Sequence, residues 1–204
     1  VWTYKDRLIY IFDQDPDHEA GEGWSYSDTG YLLIGMLIEK ITGSNYYEVV
    51  QERILTPLKL DHTYASLYRD MPNLPVAYSH LDSFFRMPGI VVSDGIFAFN
   101  PQMEWTGGGM ASTTADLAGW AKHYYTGKVF SQESLEKIIT VNEHGTEVFE
   151  DTDYGSGSFI YKTELGKAYG HTGFMPGFNS VFAYFPDTET AVALQVNCDY
   201  AAED

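Results

Sequence analysis

Apolar residues recur at helical spacing in two stretches of the first 140 positions, on either side of a long irregular segment, and take up strand-like runs only towards the end of the chain. An aliphatic-aromatic run (Leu8, Ile9, Tyr10, Ile11, Phe12) gives way to an acidic loop ending near Gly23. Tyr31, Ile34, Leu37, Ile38 and Ile41 then fall on one stripe, predicting an amphipathic helix that buries that stripe and stops at Gly43. Asn45 and Glu48 form a capping-box pattern for a second helix with Tyr47, Val50 and Ile54 inward, which Pro57 is expected to end. From Lys59 to Trp105 the pattern loosens, and Pro72, Pro75, Pro88 and Pro101 among many aromatics predict a loop-rich insertion that packs over something. Thr113 and Asp116 make a second capping-box pattern, before a helix carrying Leu117, Trp120, Ala121 and Tyr124; Ser131–Val141 reads as a shorter helix with Leu135, Ile138 and Ile139 inward.

The period then changes. Residues 156–162, 168–172, 178–185 and 190–197 read as four strands, with turns at Glu164–Gly166 and Pro186–Glu189. Helices first and an antiparallel meander last predict an α+β fold. We expect one domain over 1–204: helices in 24–58, the insertion in 59–105, further helices in 106–141 and the sheet in 154–198.

Composition narrows the possible chemistry. The 204 residues are 44% hydrophobic and 16% aromatic, enough for a substantial core. A net charge of −17 repels nucleic acid and anionic membrane surfaces. No apolar run is long enough to span a bilayer, and no signal peptide opens the chain. Cys198 is the only cysteine, which excludes an internal disulfide and a thiolate zinc site, and it is expected to be a small buried residue near a strand end. The histidines show no paired metal-ligand spacing, and the acidic clusters Asp13–Glu22 and Glu147–Asp153 lack calcium-loop spacing and read as solvated loops, so neither a metal nor a cofactor is expected. Gly107–Gly109 are followed by no lysine-hydroxyl pair, and so predict a close backbone approach rather than a phosphate cradle.

Four short motifs carry the candidate chemistry. They are Tyr26-Ser27-Asp28 before a helix, Gly107-Gly108-Gly109-Met110-Ala111-Ser112-Thr113 before another, Tyr154-Gly155-Ser156-Gly157 at the sheet, and His171-Thr172-Gly173 with Pro176-Gly177-Phe178 after it. Singly each has an ordinary reading: Tyr26 as a turn tyrosine, Ser27 as a helix cap, His171 as a strand histidine. In this order, and with Pro57-Leu58-Lys59-Leu60, the chain from Gly21 to Asn197 resembles the serine β-lactamase and penicillin-binding-protein superfamily, in particular its class C, DD-peptidase and esterase branch.

The resemblance implies a β-lactamase/transpeptidase-like fold and a serine hydrolase acting through an acyl-enzyme on an ester, D-amino-acid peptide or lactam. It casts Tyr26 as the proton shuttle, which needs a nearby cation because a free phenol titrates near pH ~10. Asp28 stands where the β-lactamases have an asparagine, and His171 where they have a strand lysine. A carboxylate only accepts hydrogen bonds, and a histidine is at most partly charged, so both departures point from lactamase towards peptidase or esterase. Thr172 and Gly173 would line the substrate strand, the N–H of Phe174 would be an oxyanion donor, and Trp105 would line the pocket.

One part of that machinery has no counterpart in the expected place. The family's Ser-x-x-Lys helix precedes the tyrosine turn by several tens of residues, whereas 25 residues precede Tyr26 and Ser25 is their first serine. Ser134-Leu135-Glu136-Lys137 has the spacing but falls where the family has a peripheral helix. The chain opens on Val1 and is expected to be a piece of a larger hydrolase, incomplete at the N-terminus and at the C-terminal helix, and inactive alone. Loss of the central helix is expected to bare apolar faces of the first two helices, with marginal stability, domain swapping or association with the missing segment. By resemblance the intact protein acts in the periplasm or outside the cell. A non-catalytic module binding a peptidoglycan-like peptide or a partner is the alternative.

Overall fold

The computed structural model describes residues 2–200. Short polar caps set the helix starts. Helix α1 (Tyr4–Leu8) opens with a reciprocal Thr3–Asp6 capping box and buries Leu8. Helix α2 (Asp28–Thr42) is capped by Ser27, whose hydroxyl accepts the Gly30 N–H at 3.1 Å, and ends at Gly43 in the left-handed region with φ 69°. Helix α3 (Tyr46–Val50) starts with the expected Asn45–Glu48 box. Pro57 does not end this segment. A π-helical turn over Gln51–Leu55 leads into α4 (Thr56–Leu58), and the chain turns out only at Lys59, with φ 56°. The wide turn sends the Thr56 N–H back to the Gln51 carbonyl, so the helical path carries the proline ring.

The buried face of α2 is not the predicted one. Leu32 and Gly35 are buried and Met36 packs beside them, whereas Tyr31, Ile34, Leu37 and Ile41 are exposed. Apolar residues occupy both sides of this helix, so periodicity alone could not select the inner face. Gly35 lies against the Thr106 side chain with no room for a Cβ, and the Thr106 hydroxyl donates to the Tyr31 carbonyl at 2.8 Å. The bared apolar face expected for the first helix is therefore present on α2, whereas Tyr47 of α3 is buried.

The insertion is more ordered than its sequence suggested. Strand β1 (Tyr64–Ala65) is followed by β2 (Ala77–Ser79), β3 (Gly89–Ser93) and β4 (Ile96–Phe97), the last three forming an antiparallel sheet. Met71, Ala77, Val91, Val92 and Phe97 make a small core of their own, against which Phe178 packs. Strand β5 (Met110–Ala111) pairs with β1 and leads into α5 (Thr114–Tyr125) and α6 (Gln132–Ile139). Thr113 caps α5, but Asp116 does not complete the box: its carboxylate accepts from the His62 N–H and the Thr63 hydroxyl instead.

Among the described residues the meander has five strands rather than the four expected: β6 (Thr152–Tyr154), β7 (Phe159–Thr163), β8 (Gly166–Met175), β9 (Phe178–Phe185) and β10 (Thr190–Val196), paired in that order. β6 lies partly in a stretch read as a solvated acidic loop. Asp153 is in fact 7% exposed, because it accepts the Glu147 N–H at 2.9 Å and pairs with Lys162 at 3.0 Å. Tyr125, Leu135 and Tyr184 form the core between the sheet and α5 and α6. Cys198, just past β10, is partly rather than fully buried. Val192, Leu194 and Val196 leave an apolar stripe of β10 exposed. No helix among the described residues is long and apolar enough to cross a membrane.

Candidate active site

Two elements place their ends together. The extended residues before α2 carry Tyr26, half exposed, to a ring-centroid distance of 6.0 Å from His171 on β8 and 6.1 Å, edge-on, from Tyr154 on β6. Trp24 packs on Tyr154 from the same segment at 5.1 Å. Tyr154 and His171 are joined by a 3.0 Å contact between the phenol oxygen and Nε2, and Nδ1 lies 2.6 Å from the Thr172 carbonyl. A carbonyl only accepts, so Nδ1 carries the proton. In the neutral ring Nε2 then accepts the Tyr154 O–H.

The charges around this cluster have clear directions. Burial pushes the His171 pKa below the ordinary histidine value, and the Thr172 carbonyl and Asp28 work against that shift. Burial pushes Asp28 above the usual carboxylate range, with His171 pulling it back. Tyr26 is raised by burial and then by Asp28, Tyr31 and Glu104. Tyr154 is held far above the ordinary phenol value, by burial first and by Tyr31 and Tyr26 next. Glu104 is itself raised, by burial and by Asp28. None of the groups that shift Tyr26 is a cation, so it is a protonated phenol at neutral pH in this chain.

Among the described residues, the strand register leaves an unpaired edge beside these groups. β7 pairing ends at Phe159 opposite Gly170, while β9 continues to pair with β8 as far as Met175. The hairpin closes through Pro176-Gly177, with Gly177 at φ 84°. In an antiparallel ladder successive residues direct their N–H and C=O groups to opposite sides. Counting from the Met175–Phe178 closing pair, His171, Gly173 and Met175 face β9, and Thr172 and Phe174 face the open side. A Cβ at Gly173 would meet the Ser180 hydroxyl, which would have to rotate away. The hairpin itself is held by Asp199, whose Oδ2 accepts the Gly177 N–H at 2.8 Å.

Tyr26, Asp28, His171, Thr172, Gly173 and Phe174 are thus gathered by one helix entrance and one strand. Trp105 is not among them. It is 6% exposed in the core, between Tyr4 at 5.1 Å and Tyr46 at 5.9 Å, with the Arg7 guanidinium 5.1 Å over its ring. Its bulk and apolar face favour that position over a pocket wall. Ser134 and Lys137 are also elsewhere. Ser134 engages Ser131 at 3.0 Å and Lys137 pairs with Glu133 at 2.7 Å on an exposed helix face, as a peripheral helix would place them. Two neighbours were not singled out from the sequence as site residues. Tyr154 was visible as the first letter of its glycine-rich motif. Glu104 had no signal, because its proximity to Asp28 depends on the turn at Trp105–Gly107.

Of Gly107–Gly109 only Gly109 sits in a close approach, against the Tyr47 hydroxyl and the Trp105 backbone, whereas Gly108 faces open space at φ 158°. Gly107 lies in ordinary contact with Asp28, and the Gly109 carbonyl accepts the buried Tyr47 hydroxyl at 2.9 Å.

A capped tyrosine turn facing a His-Thr-Gly strand with an open edge, on an α+β frame, defines the serine β-lactamase and transpeptidase class. The chain belongs to the Beta-lactamase family, whose sequence model matches residues 2–204. It is similar in structure to a D-stereospecific amidohydrolase from Streptomyces sp., with a TM-score of 0.86 and 29% identity over 100% of this chain and 58% of the other. In sequence it is 26% identical to penicillin-binding protein 4* of Bacillus subtilis, over 83% of this chain and 38% of that protein. It is 27% identical to a teichoic acid D-alanine hydrolase of Staphylococcus aureus, over 84% and 39%. The chain therefore spans less than half the length of these two curated relatives.

Proposed function

We propose that this chain supplies the proton-transfer and substrate-strand walls of a serine hydrolase that works through an acyl-enzyme, with the nucleophile on a segment outside these residues. The observation that carries this reading is the meeting of Tyr26 with the Tyr154–His171 pair beside the open edge of β8. In this scheme a carbonyl lies along that edge with its oxygen on the outward N–H of Phe174, and Thr172 offers its hydroxyl to the substrate. The nucleophile's hydroxyl sits near Tyr26, which passes its proton to the leaving group. A lysine arriving with the nucleophile is the cation that Tyr26 lacks. Asp28, acceptor-only and raised by burial, is the group to receive that ammonium.

The substrate class follows from the same chemistry. Without an asparagine amide at position 28 the site has one donor fewer for an acylamino carbonyl. A neutral His171 attracts a substrate carboxylate less than a lysine does. Both favour esters, amides or peptides of D-amino acids over β-lactams, in keeping with the names of the amidohydrolase and of the D-alanine hydrolase. Action outside the cytoplasm suits such substrates. The exposed face of α2 is where the nucleophile-bearing segment would dock.

The test is to join this chain to the Ser-x-x-Lys segment of its own gene and measure hydrolysis of D-amino-acid amides and esters. Tyr26→Phe is expected to lower kcat about 10²–10⁴-fold with little change in KM, as loss of a proton-transfer group does. Unchanged kcat would remove Tyr26 from the scheme.

A further inference from the structure

We propose that Phe84, Phe85 and Phe174 form an aromatic subsite at the hairpin end of the β8 edge, and that it selects substrates with an aromatic or large apolar group next to the reacting carbonyl. The inference rests on the reading of that edge as the substrate strand.

Phe174 joins the two functions. Its backbone N–H faces the open side of β8, and its ring is 41% exposed. A carbonyl held by that N–H brings its adjacent substituent within reach of the same residue's ring. Phe85, from the insertion, stacks on Phe174 with centroids 6.0 Å apart and planes at 16°. Phe84 stands edge-on to Phe85 at 5.1 Å and 86°. At 84% exposure its ring gains almost nothing from folding. The turn that presents these rings is fixed. The Ser83 N–H donates to the His80 carbonyl at 3.1 Å, the Arg86 N–H donates to the Ser83 carbonyl at 3.0 Å, and the buried Ser83 hydroxyl meets that of Ser79 at 3.0 Å. Aromatic rings held in place before binding lose little conformational freedom on contact, which suits a specificity wall better than a flexible loop.

The test measures binding, which needs no nucleophile. Ligand-observed NMR titrations of D-phenylalanine amide and D-alanine amide are run on the 204-residue chain, with its association state followed by sedimentation. D-phenylalanine amide is expected to bind about five- to ten-fold more tightly, and Phe84→Ala and Phe85→Ala each to remove most of that preference while leaving D-alanine amide unchanged. Phe85→Leu, which keeps apolar bulk under Phe174, is expected to retain part of it and guards against a folding defect in Phe85→Ala. Equal affinity for the two amides, absence of binding by either at millimolar concentration, or a preference that survives both alanine variants overturns the proposal. So does a change in sedimentation with no change in preference, which would make the patch a contact between copies. An aromatic preference in binding with no hydrolysis by the nucleophile-bearing protein would keep the subsite and remove the hydrolase reading.

Discussion

The hydroxyl of Tyr154 lies 3.0 Å from Nε2 of His171, and that contact fixes which ring nitrogen faces the candidate site. With Nδ1–H held by the Thr172 carbonyl, the neutral ring accepts from Tyr154 and has no proton on Nε2 to give. His171 can donate there only when charged, and its burial disfavours that form.

The pH dependence follows in sign. His171 should titrate below ~6.5, the ordinary value that applies in the unfolded chain. Between the two values the unfolded chain binds more protons than the native one. The contribution of His171 to stability is therefore complete above the unfolded value and is lost as pH falls through the native one. Asp28→Asn removes a group that raises the native value and should move it lower still. Histidine ring NMR across pH 4–8 checks both shifts; an upward shift in the variant would contradict the assignment of Asp28 as a neighbouring charge.

Asp199 should matter for the hairpin rather than for its charge. It is 8% exposed, one oxygen accepts the Gly177 N–H, and the other has no partner among the described residues. Asp199→Ala orphans the Gly177 N–H and should cost about 1–3 kcal/mol in urea unfolding. Asp199→Asn keeps an acceptor and removes a poorly satisfied buried charge, so its cost should be well below that of the alanine variant. Equal loss in both variants would show that the charge itself is required.

Gly35 is where a helix gives up propensity for contact. Alanine gains about 1 kcal/mol in an isolated helix interior, but here its methyl meets the Thr106 side chain, and overpacking costs about 1–3 kcal/mol. Gly35→Ala is expected to lower stability on balance. Adding Thr106→Ser, which removes the nearest methyl and keeps the hydroxyl that binds Tyr31, should restore part of the loss. Additive losses in the double variant would place the strain elsewhere.

The outward face of α2 should behave as surface in this chain. Leu37 and Ile41 are 56% and 73% exposed, so Leu37→Glu with Ile41→Lys should change unfolding free energy by only about 0.5 kcal/mol per site. The same pair should reduce dye binding by exposed apolar surface and any self-association. A large loss of stability would mean that this face is already covered.

What could be read from the sequence was local. Ser27, Asn45 and Thr113 cap the predicted helices, because a cap depends on residues only a few positions away. The family resemblance carried by the motifs implied that Tyr26 and His171 share a site, and their rings lie 6.0 Å apart. What could not be read depended on partners distant in the chain. The inner face of α2 is chosen by Thr106 and the turn around it. Trp105 is claimed by a cluster that includes Tyr4 and Tyr46. β6 is hidden because Asp153 is compensated by Lys162 across the β6–β7 pair. The stacking of Phe85 on Phe174 joins residues nearly ninety positions apart, in a stretch with no regular period.

The central claim is that these residues form the walls of a serine hydrolase site and hold no nucleophile of their own. Denaturing mass spectrometry after treatment of the purified chain with a fluorophosphonate tests it most directly. The account predicts an unmodified 204-residue chain, and an adduct on the serine of a Ser-x-x-Lys helix when that segment is present. A stoichiometric adduct on a serine of this chain, Ser134 first among them, would contradict it.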